Sequence, residues 1–291
     1  MTKRSGTKFG CFVAGTKGLG LLKGIINESP PSFIVSYQQN TSISQFDKIK
    51  KLSDNFKIPF YTRRDFSDAL MNNVDVVFVA GWQFLISGHA EKLIVFHDSL
   101  LPKYRGFSPT VAALISGEKT IGVTALRPTA VVDAGPILAQ MSIKIGYPAK
   151  IKDVYEKLSK LYAEIALKLI SECPDGVSQD ESSATYSLWR DSKDYIIDWS
   201  WDSSRVARFV DALGYPYDGA RTKLASEEIT IVDVLPVPDL PFVERWPGKV
   251  WSLEGGNPTI VCGKGMLKIL RALDAHGNQV RFQKLRERLG H

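Results

Sequence analysis

Residues 74–80, VDVVFVA, are apolar on both faces of a strand apart from Asp75, and this run restricts the chain more than any other. A strand without a polar face has to lie inside a sheet covered on both sides, the position of a central parallel strand. The flanking sequence supplies the cover. Residues 9–14 are a short apolar run closed by Gly15 and Gly18, with Leu19, Leu22, Ile25 and Ile26 following at helical spacing. Residues 32–37 read as a second strand and 42–56 as an amphipathic helix with Phe46, Ile49 and Leu52 on one face. Residues 58–61 and 93–97 read as the third and fifth strands. Strands separated by helices of this length make a parallel α/β sheet.

Further on, a helix is predicted over 110–116, then strands over 122–126 and 137–143 around a long turn. Residues 152–171 form a strong helix, with Val154, Leu158, Leu161, Ile165 and Leu169 keeping its period. From Cys173 the composition shifts to CPDGVSQDESS, which reads as a linker. After a helix over 203–213, short strands alternate with Gly and Pro turns to about residue 270, the pattern of a small β barrel. RFQKLRER, from Arg281, reads as a short amphipathic terminal helix. A length of 291 residues suits two domains, placed at 1–180 and 181–291.

Composition narrows the function by exclusion. No apolar stretch is long enough to cross a bilayer, and the run at 9–14 is too short for a signal-peptide core. Cys11, Cys173 and Cys262 lie far apart, so neither a disulfide framework nor a CxxC metal knuckle is expected, and a cytoplasmic location is. Thirty-seven Lys and Arg against 31 Asp and Glu leave a charge of +6, without a basic block long enough for a nucleic-acid arm.

Three motifs fail on inspection. The glycines from Gly15 to Gly20 are spaced GxxGxG rather than GxGxxG, and no acidic residue closes the second strand, so a dinucleotide site is not supported. His97 and Ser99 splay side by side in a strand and lack a GxSxG elbow. His89-Ala-Glu91 reads HxE, but no PCxxC follows, and no metal is expected.

The informative stretch is FHDSLLPKYRGFSP, from Phe96. A His closing a parallel strand stands where ligands bind in open α/β sheets. DAGPILAQ, from Asp133, then places a carboxylate on a turn leading into a strand. HxSLLPxYRG followed by DxGxIxxQ resembles the 10-formyltetrahydrofolate-dependent formyltransferases. These include methionyl-tRNA formyltransferase, glycinamide ribonucleotide formyltransferase and the N-formyltransferases of nucleotide-linked amino sugars. ATY ending at Tyr186, IDW from Ile197, YPYDGA from Tyr215, PGKV from Pro247 and CGKGMLK from Cys262 extend the resemblance over most of the chain.

The resemblance implies a Rossmann-like formyltransferase domain with a mostly parallel sheet, then a small OB-like β domain. It implies transfer of a formyl group from N10-formyltetrahydrofolate to an amine. His97 would take the amine proton or, protonated, stabilise the oxyanion, and Asp133 would orient the imidazole and favour its charged form. Ser99 is either a positioning group or a turn-capping hydroxyl. The family's Asn two residues before the His is Val95 here, which has no donor for an oxyanion. Gln83, after the fourth strand, is the candidate replacement. The pterin is expected against Phe84, Leu85 and Ile86 and the long turn from Leu126 to Asp133, Leu126 and Val131 in particular, held largely by backbone. Tyr104, Arg105, Tyr215 and Tyr217 are the candidate acceptor contacts.

The leading acceptor is a nucleotide-linked amino sugar, in surface polysaccharide biosynthesis. The segment after the first strand lacks the longer basic insertion of tRNA-acting members, and the basic excess is not patterned as a stripe. A methionyl-tRNA formyltransferase is the alternative, as is a binding protein whose catalysis Val95 has impaired. A homodimer is expected and a membrane partner is not.

Overall fold

The computed structural model describes residues 6–39 and 44–290. In chain order its main elements are β1 (Phe9–Val13), α1 (Gly15–Ile25), β2 (Phe33–Ser36), α2 (Phe46–Asn55), β3 (Phe60–Thr62), β4 (Val76–Ala80), β5 (Leu93–His97) and β6 (Arg105–Gly106). There follow α3 (Pro109–Ser116), β7 (Thr120–Leu126), β8 (Ile137–Lys144), α4 (Ile151–Ser171) and β9 (Tyr186–Ser187). The chain closes with α5 (Ser203–Leu213), β10 (Ala220–Leu224), β11 (Glu227–Val237), β12 (Val250–Glu254), β13 (Asn257–Val261) and β14 (Met266–Leu273). Ser42 and Ile43, expected to begin the second helix, lie outside the described residues. Two compact units result. The first holds the described residues up to Pro109, Thr120–Lys144 and Val154–Leu188; the second holds Thr110–Lys119, Ile145–Asp153 and the chain from Trp189.

The first unit is built on a seven-stranded sheet ordered β3-β2-β1-β4-β5-β7-β8. Its first five strands are parallel, β7 runs antiparallel to β5, and β8 pairs antiparallel with β7. All five residues of β4 are buried between β1 and β5, as a strand without a polar face requires. Helix α1 lies so close to α4 that a Cβ on Gly20 would fall 2.4 Å from Ser159 Cβ, and one on Gly24 would fall 2.2 Å from Ala163 Cβ. Two glycines one turn apart thus meet two small residues one turn apart. That contact, the positive φ of Gly15 and the closeness of Val13, whose Cβ would lie 2.8 Å from a Cβ on Gly18, account for the glycine spacing at the first turn.

Residues 173–188 are not a free linker. Ile137 and Val177 exchange backbone hydrogen bonds of 2.8 Å, and β9 pairs in parallel with β6. Two polar side chains of this strap, Gln179 and Glu181, are spent on hydrogen bonds to the rest of the unit.

The second unit carries a five-stranded antiparallel sheet ordered β10-β11-β14-β13-β12. Lys150 pairs with Asp233 at 2.9 Å and with buried Asp211 of α5 at 3.7 Å, and Arg208 Nε donates to the Ile115 carbonyl at 3.0 Å. The expected helix from Arg281 does not form. Instead Val250 N donates to the Glu287 carbonyl at 3.1 Å, Leu289 N to Gly248 at 2.8 Å and Gly290 N to Lys223 at 2.9 Å. Residues 287–290 therefore bridge the open edges of β12 and β10. Phe282, Leu285 and Leu289 keep helical spacing, but unpaired sheet edges compete for the backbone, and pairing satisfies more polar groups than one isolated turn.

Leu289 is buried and Leu285 is 55% exposed. Leu289→Ala should therefore cost about 2–4 kcal/mol of stability. Leu285→Ala should change it by less than about 0.5 kcal/mol. Urea unfolding of the two variants separates a sealing strand from a peripheral helix, in which the two losses would be comparable.

Candidate active site

His97 ends β5 at the carboxyl edge of the sheet, opposite Thr124 of β7. Its side chain is 8% exposed. Nε2 lies 2.8 Å from the Tyr104 carbonyl, which can only accept, so Nε2 carries the hydrogen. Nδ1 faces Asp133 Oδ2 at 3.4 Å. Burial lowers the His97 pKa below its ordinary value, while Asp133 and the Tyr104 carbonyl pull it upward and Lys17 adds a further downward push. The imidazole is thus held neutral at neutral pH, with its lone pair on Nδ1 and a carboxylate placed to receive the cation.

Asp133 is held as firmly as the histidine. It sits on the turn between β7 and β8 at φ +53, and its Oδ2 accepts from Gly106 N at 2.8 Å. The turn closes through Arg127 N to the Pro136 carbonyl at 3.0 Å. A Cβ on Gly135 would fall 1.8 Å from the Arg127 carbonyl oxygen, so only glycine fits there. Gln179, on the strap, donates through Nε2 to the carbonyls of Asp133 at 2.7 Å and Gly135 at 2.8 Å. Its Oε1 accepts from Arg105 Nε and NH2, and both ends of the Glu181 carboxylate take Arg105 at 2.7 and 2.8 Å.

Arg105 therefore needs correction as an acceptor contact. It is fully buried, and its guanidinium is spent on Gln179 and Glu181. Tyr104, at φ +61, offers its carbonyl to His97, and its N–H donates to Thr185 Oγ1 at 2.9 Å. Ser99 is a turn residue: its Oγ donates to the Lys103 carbonyl at 2.6 Å, and its own carbonyl accepts from Thr124 Oγ1 at 2.6 Å. Thr124 Oγ1 also accepts from Leu101 N and from Gln140 Nε2, which gives the Gln of the second motif its place.

The loop after β4 is open. Gln83 is exposed, Leu85 fully so, and Phe84 is 37% exposed, while Ile86 packs on the apolar cluster under the sheet. Phe84 stands edge-on to Tyr37 at 4.8 Å, with Arg63 over its face at 3.8 Å. Trp82 Nε1 is buried without a hydrogen-bond partner. Leu126 is buried in β7 and Val131 is 60% exposed on the following turn. Val95 packs on the same apolar cluster as Ile86 and Trp82. Tyr215, exposed, and Tyr217 belong to the second unit. Among the described residues, no group of three or more His, Cys, Asp or Glu could hold a metal, and no helix is long and apolar enough to cross a membrane.

Residues 19–170 match Formyl transferase, and residues 191–288 match Formyl transferase, C-terminal domain. The chain belongs to this family. It is similar to the methionyl-tRNA formyltransferase of Methylococcus capsulatus, 33% identical over 181 residues, 60% of this chain and 56% of that protein. It is also similar to the bifunctional polymyxin resistance protein ArnA of Wigglesworthia glossinidia brevipalpis, 31% identical over 244 residues, 78% of this chain and 36% of that one. The chain thus spans about half, or less, of the length of these relatives. Among solved structures, the N-formyltransferase of Helicobacter canadensis with folinic acid and dTDP-3-aminofucose aligns at TM-score 0.66 and 15% identity, over 90% of this chain and 98% of its own. WlaRD, a sugar 3N-formyl transferase, aligns at 0.64 and 15% over 96% and 99%. At that identity the chain shares their fold.

Gln179→Ala should cost about 1–3 kcal/mol, because it leaves the Asp133 and Gly135 carbonyls and part of the Arg105 guanidinium unmatched. Asp180→Ala, next in sequence but exposed, should cost less than about 1 kcal/mol. Denaturant midpoints of the two variants decide whether the strap holds the turn.

Proposed function

We propose that the protein is an N-formyltransferase that moves the formyl group of N10-formyltetrahydrofolate to the amino group of a nucleotide-linked amino sugar. The observation that carries the reading is the His97–Asp133 couple at the carboxyl end of β5. An amine attacks only when neutral, and as it bonds to the formyl carbon it must lose a proton. His97 takes that proton on Nδ1, since Nε2 is committed to Tyr104. Asp133 then faces the new cation and lowers its energy. As the tetrahedral adduct collapses, the bond from the formyl carbon to folate N10 breaks, and the imidazolium returns the proton to N10.

The loop after β4 fits the folate. Leu85 and Phe84 present apolar surface to solvent, and the Trp82 indole N–H has no partner among the described residues. When bound, the folate supplies the activated formyl carbon. Gln83, exposed on the same loop, is our candidate donor to the developing oxyanion in place of the family Asn. The apolar packing of Val95 supports this choice, because an amide there would enter a cluster of Val, Phe and Leu side chains.

For the acceptor, support comes from the sugar N-formyltransferases that align over nearly the whole of both chains. The sequence relatives named methionyl-tRNA formyltransferase favour the second reading, transfer to initiator Met-tRNA. A panel of nucleotide-linked amino sugars and initiator Met-tRNA, each supplied with N10-formyltetrahydrofolate, tests both. Formylation of a sugar and not of the tRNA is expected; efficient uptake by the tRNA would replace the first reading with the second.

On the productive acceptor, His97→Ala should retain less than about a tenth of the activity. The wild-type acid limb should fall below pH 6.5, because the folded His97 pKa is depressed and activity is lost only as pH drops through it. Asp133→Asn should be severe but far from additive with His97→Ala, since the two act as a unit. Gln83→Ala should lower kcat by roughly a hundredfold with little change in KM. A silent Gln83→Ala makes Gln83 an ordinary loop residue.

A further inference from the structure

Behind His97 lies a charged cluster that the mechanism above does not use. Side chains alternate along β5, so Val95 and His97 share one face while Phe96 and the following Asp98 turn to the other. Phe96 stacks on Tyr162 of α4, with ring centroids 5.1 Å apart and planes 18° apart. The Tyr162 hydroxyl donates to Asp98 Oδ1, and the Lys17 ammonium of α1 forms an ion pair with Asp98 Oδ2. Asp98 is 4% exposed, so its charge is almost wholly removed from water. Lys17 also lies over the Tyr155 ring at 4.9 Å. The Gly20 and Gly24 contacts with α4 hold this turn of α1 against the cluster.

The groups facing His97 are few. Asp133 approaches from the β7–β8 turn, the Tyr104 carbonyl from the turn after β5, and Lys17 from α1. Asp98 adjoins it on its own strand end, and Thr124 opposite it on β7 is uncharged. The nearby Arg105 charge is met by Glu181. Two carboxylates therefore stand by the imidazole, partly buried Asp133 facing it and buried Asp98 next to it in the chain. Unopposed, both would stabilise the imidazolium and keep the ring from acting as a base.

We propose that Lys17 is a positioning residue for His97: by pairing with Asp98 it cancels the carboxylate behind the imidazole and leaves Asp133 as the charge that governs its protonation. The reading rests on His97 being the base of the proposed formyl transfer, but it is a statement about charge that the ligand-free protein obeys. Burial draws Lys17 down to about 8, so it keeps its charge throughout the range in which His97 titrates.

The test is a carbon-detected NMR titration of the His97 ring in the ligand-free wild type, Lys17→Met, Asp98→Asn and the double variant. Lys17→Met exposes His97 to an uncancelled carboxylate and should raise its midpoint by about one pH unit. Asp98→Asn keeps an acceptor for Tyr162, leaves the ammonium uncancelled, and should lower the midpoint by about as much. The double variant should return to within about 0.3 of the wild type. Single variants that shift His97 the same way, or leave it unmoved, overturn the proposal. If Lys17→Met fails to fold without the ammonium beside Asp98, the Asp98→Asn arm decides: a downward shift supports the proposal and no shift overturns it. In the folded variants the acid limb of formyl transfer should move with the midpoint. Opposed shifts in a protein that formylates no acceptor would sink the transferase reading and leave the charge cancellation standing.

Discussion

One carboxylate oxygen ties the site together. Asp133 Oδ2 accepts the Gly106 amide and faces His97 Nδ1, so the turn after β5 and the turn after β7 are fixed to each other through a single atom. Everything that supports Asp133 then becomes support for the histidine. Gly135 permits the tight return of the chain, Gln179 holds two carbonyls of the turn, and Arg105 with Glu181 holds Gln179. The result is an imidazole whose tautomer is set by a backbone carbonyl and whose cation would be met by a side chain. Neither task is left to solvent.

The sequence made the His97–Asp133 pair legible because His97 closes a strand and Asp133 lies on the turn before another, each inside a motif whose glycines and prolines have clear backbone duties. The central sheet was equally legible, since the apolar run at β4 admits no other position. The strap was not. A stretch of Asp, Ser, Gln and Glu looks the same whether it is solvated or spends its side chains on buried partners, and Gln179 and Glu181 are told apart only by where Arg105 lies. Arg105 misled for the same reason, because a lone arginine in a loop carries no sign of whether its charge is already matched.

The tail illustrates a different limit. Phe282, Leu285 and Leu289 satisfy the helical period, and nothing local argues against a helix. The decision is made by β10 and β12, which leave a gap that only a strand can fill. Lys17 and Asp98 were also beyond local reading: eighty residues separate them, and the glycine contacts that bring them together look in sequence like a turn signal.

The two units interleave along the chain, and this bears on how such proteins can be recombined. Thr110–Lys119 and Ile145–Asp153 belong with the second unit although they interrupt the first. A chimera spliced near residue 180, at the apparent seam, would import α5 without the carbonyl of Ile115 that Arg208 addresses, and Asp211 without Lys150. A buried aspartate would arrive stripped of its counter-charge. The β-rich half is therefore not a cassette, and transplanting it between relatives would require exchanging three segments together.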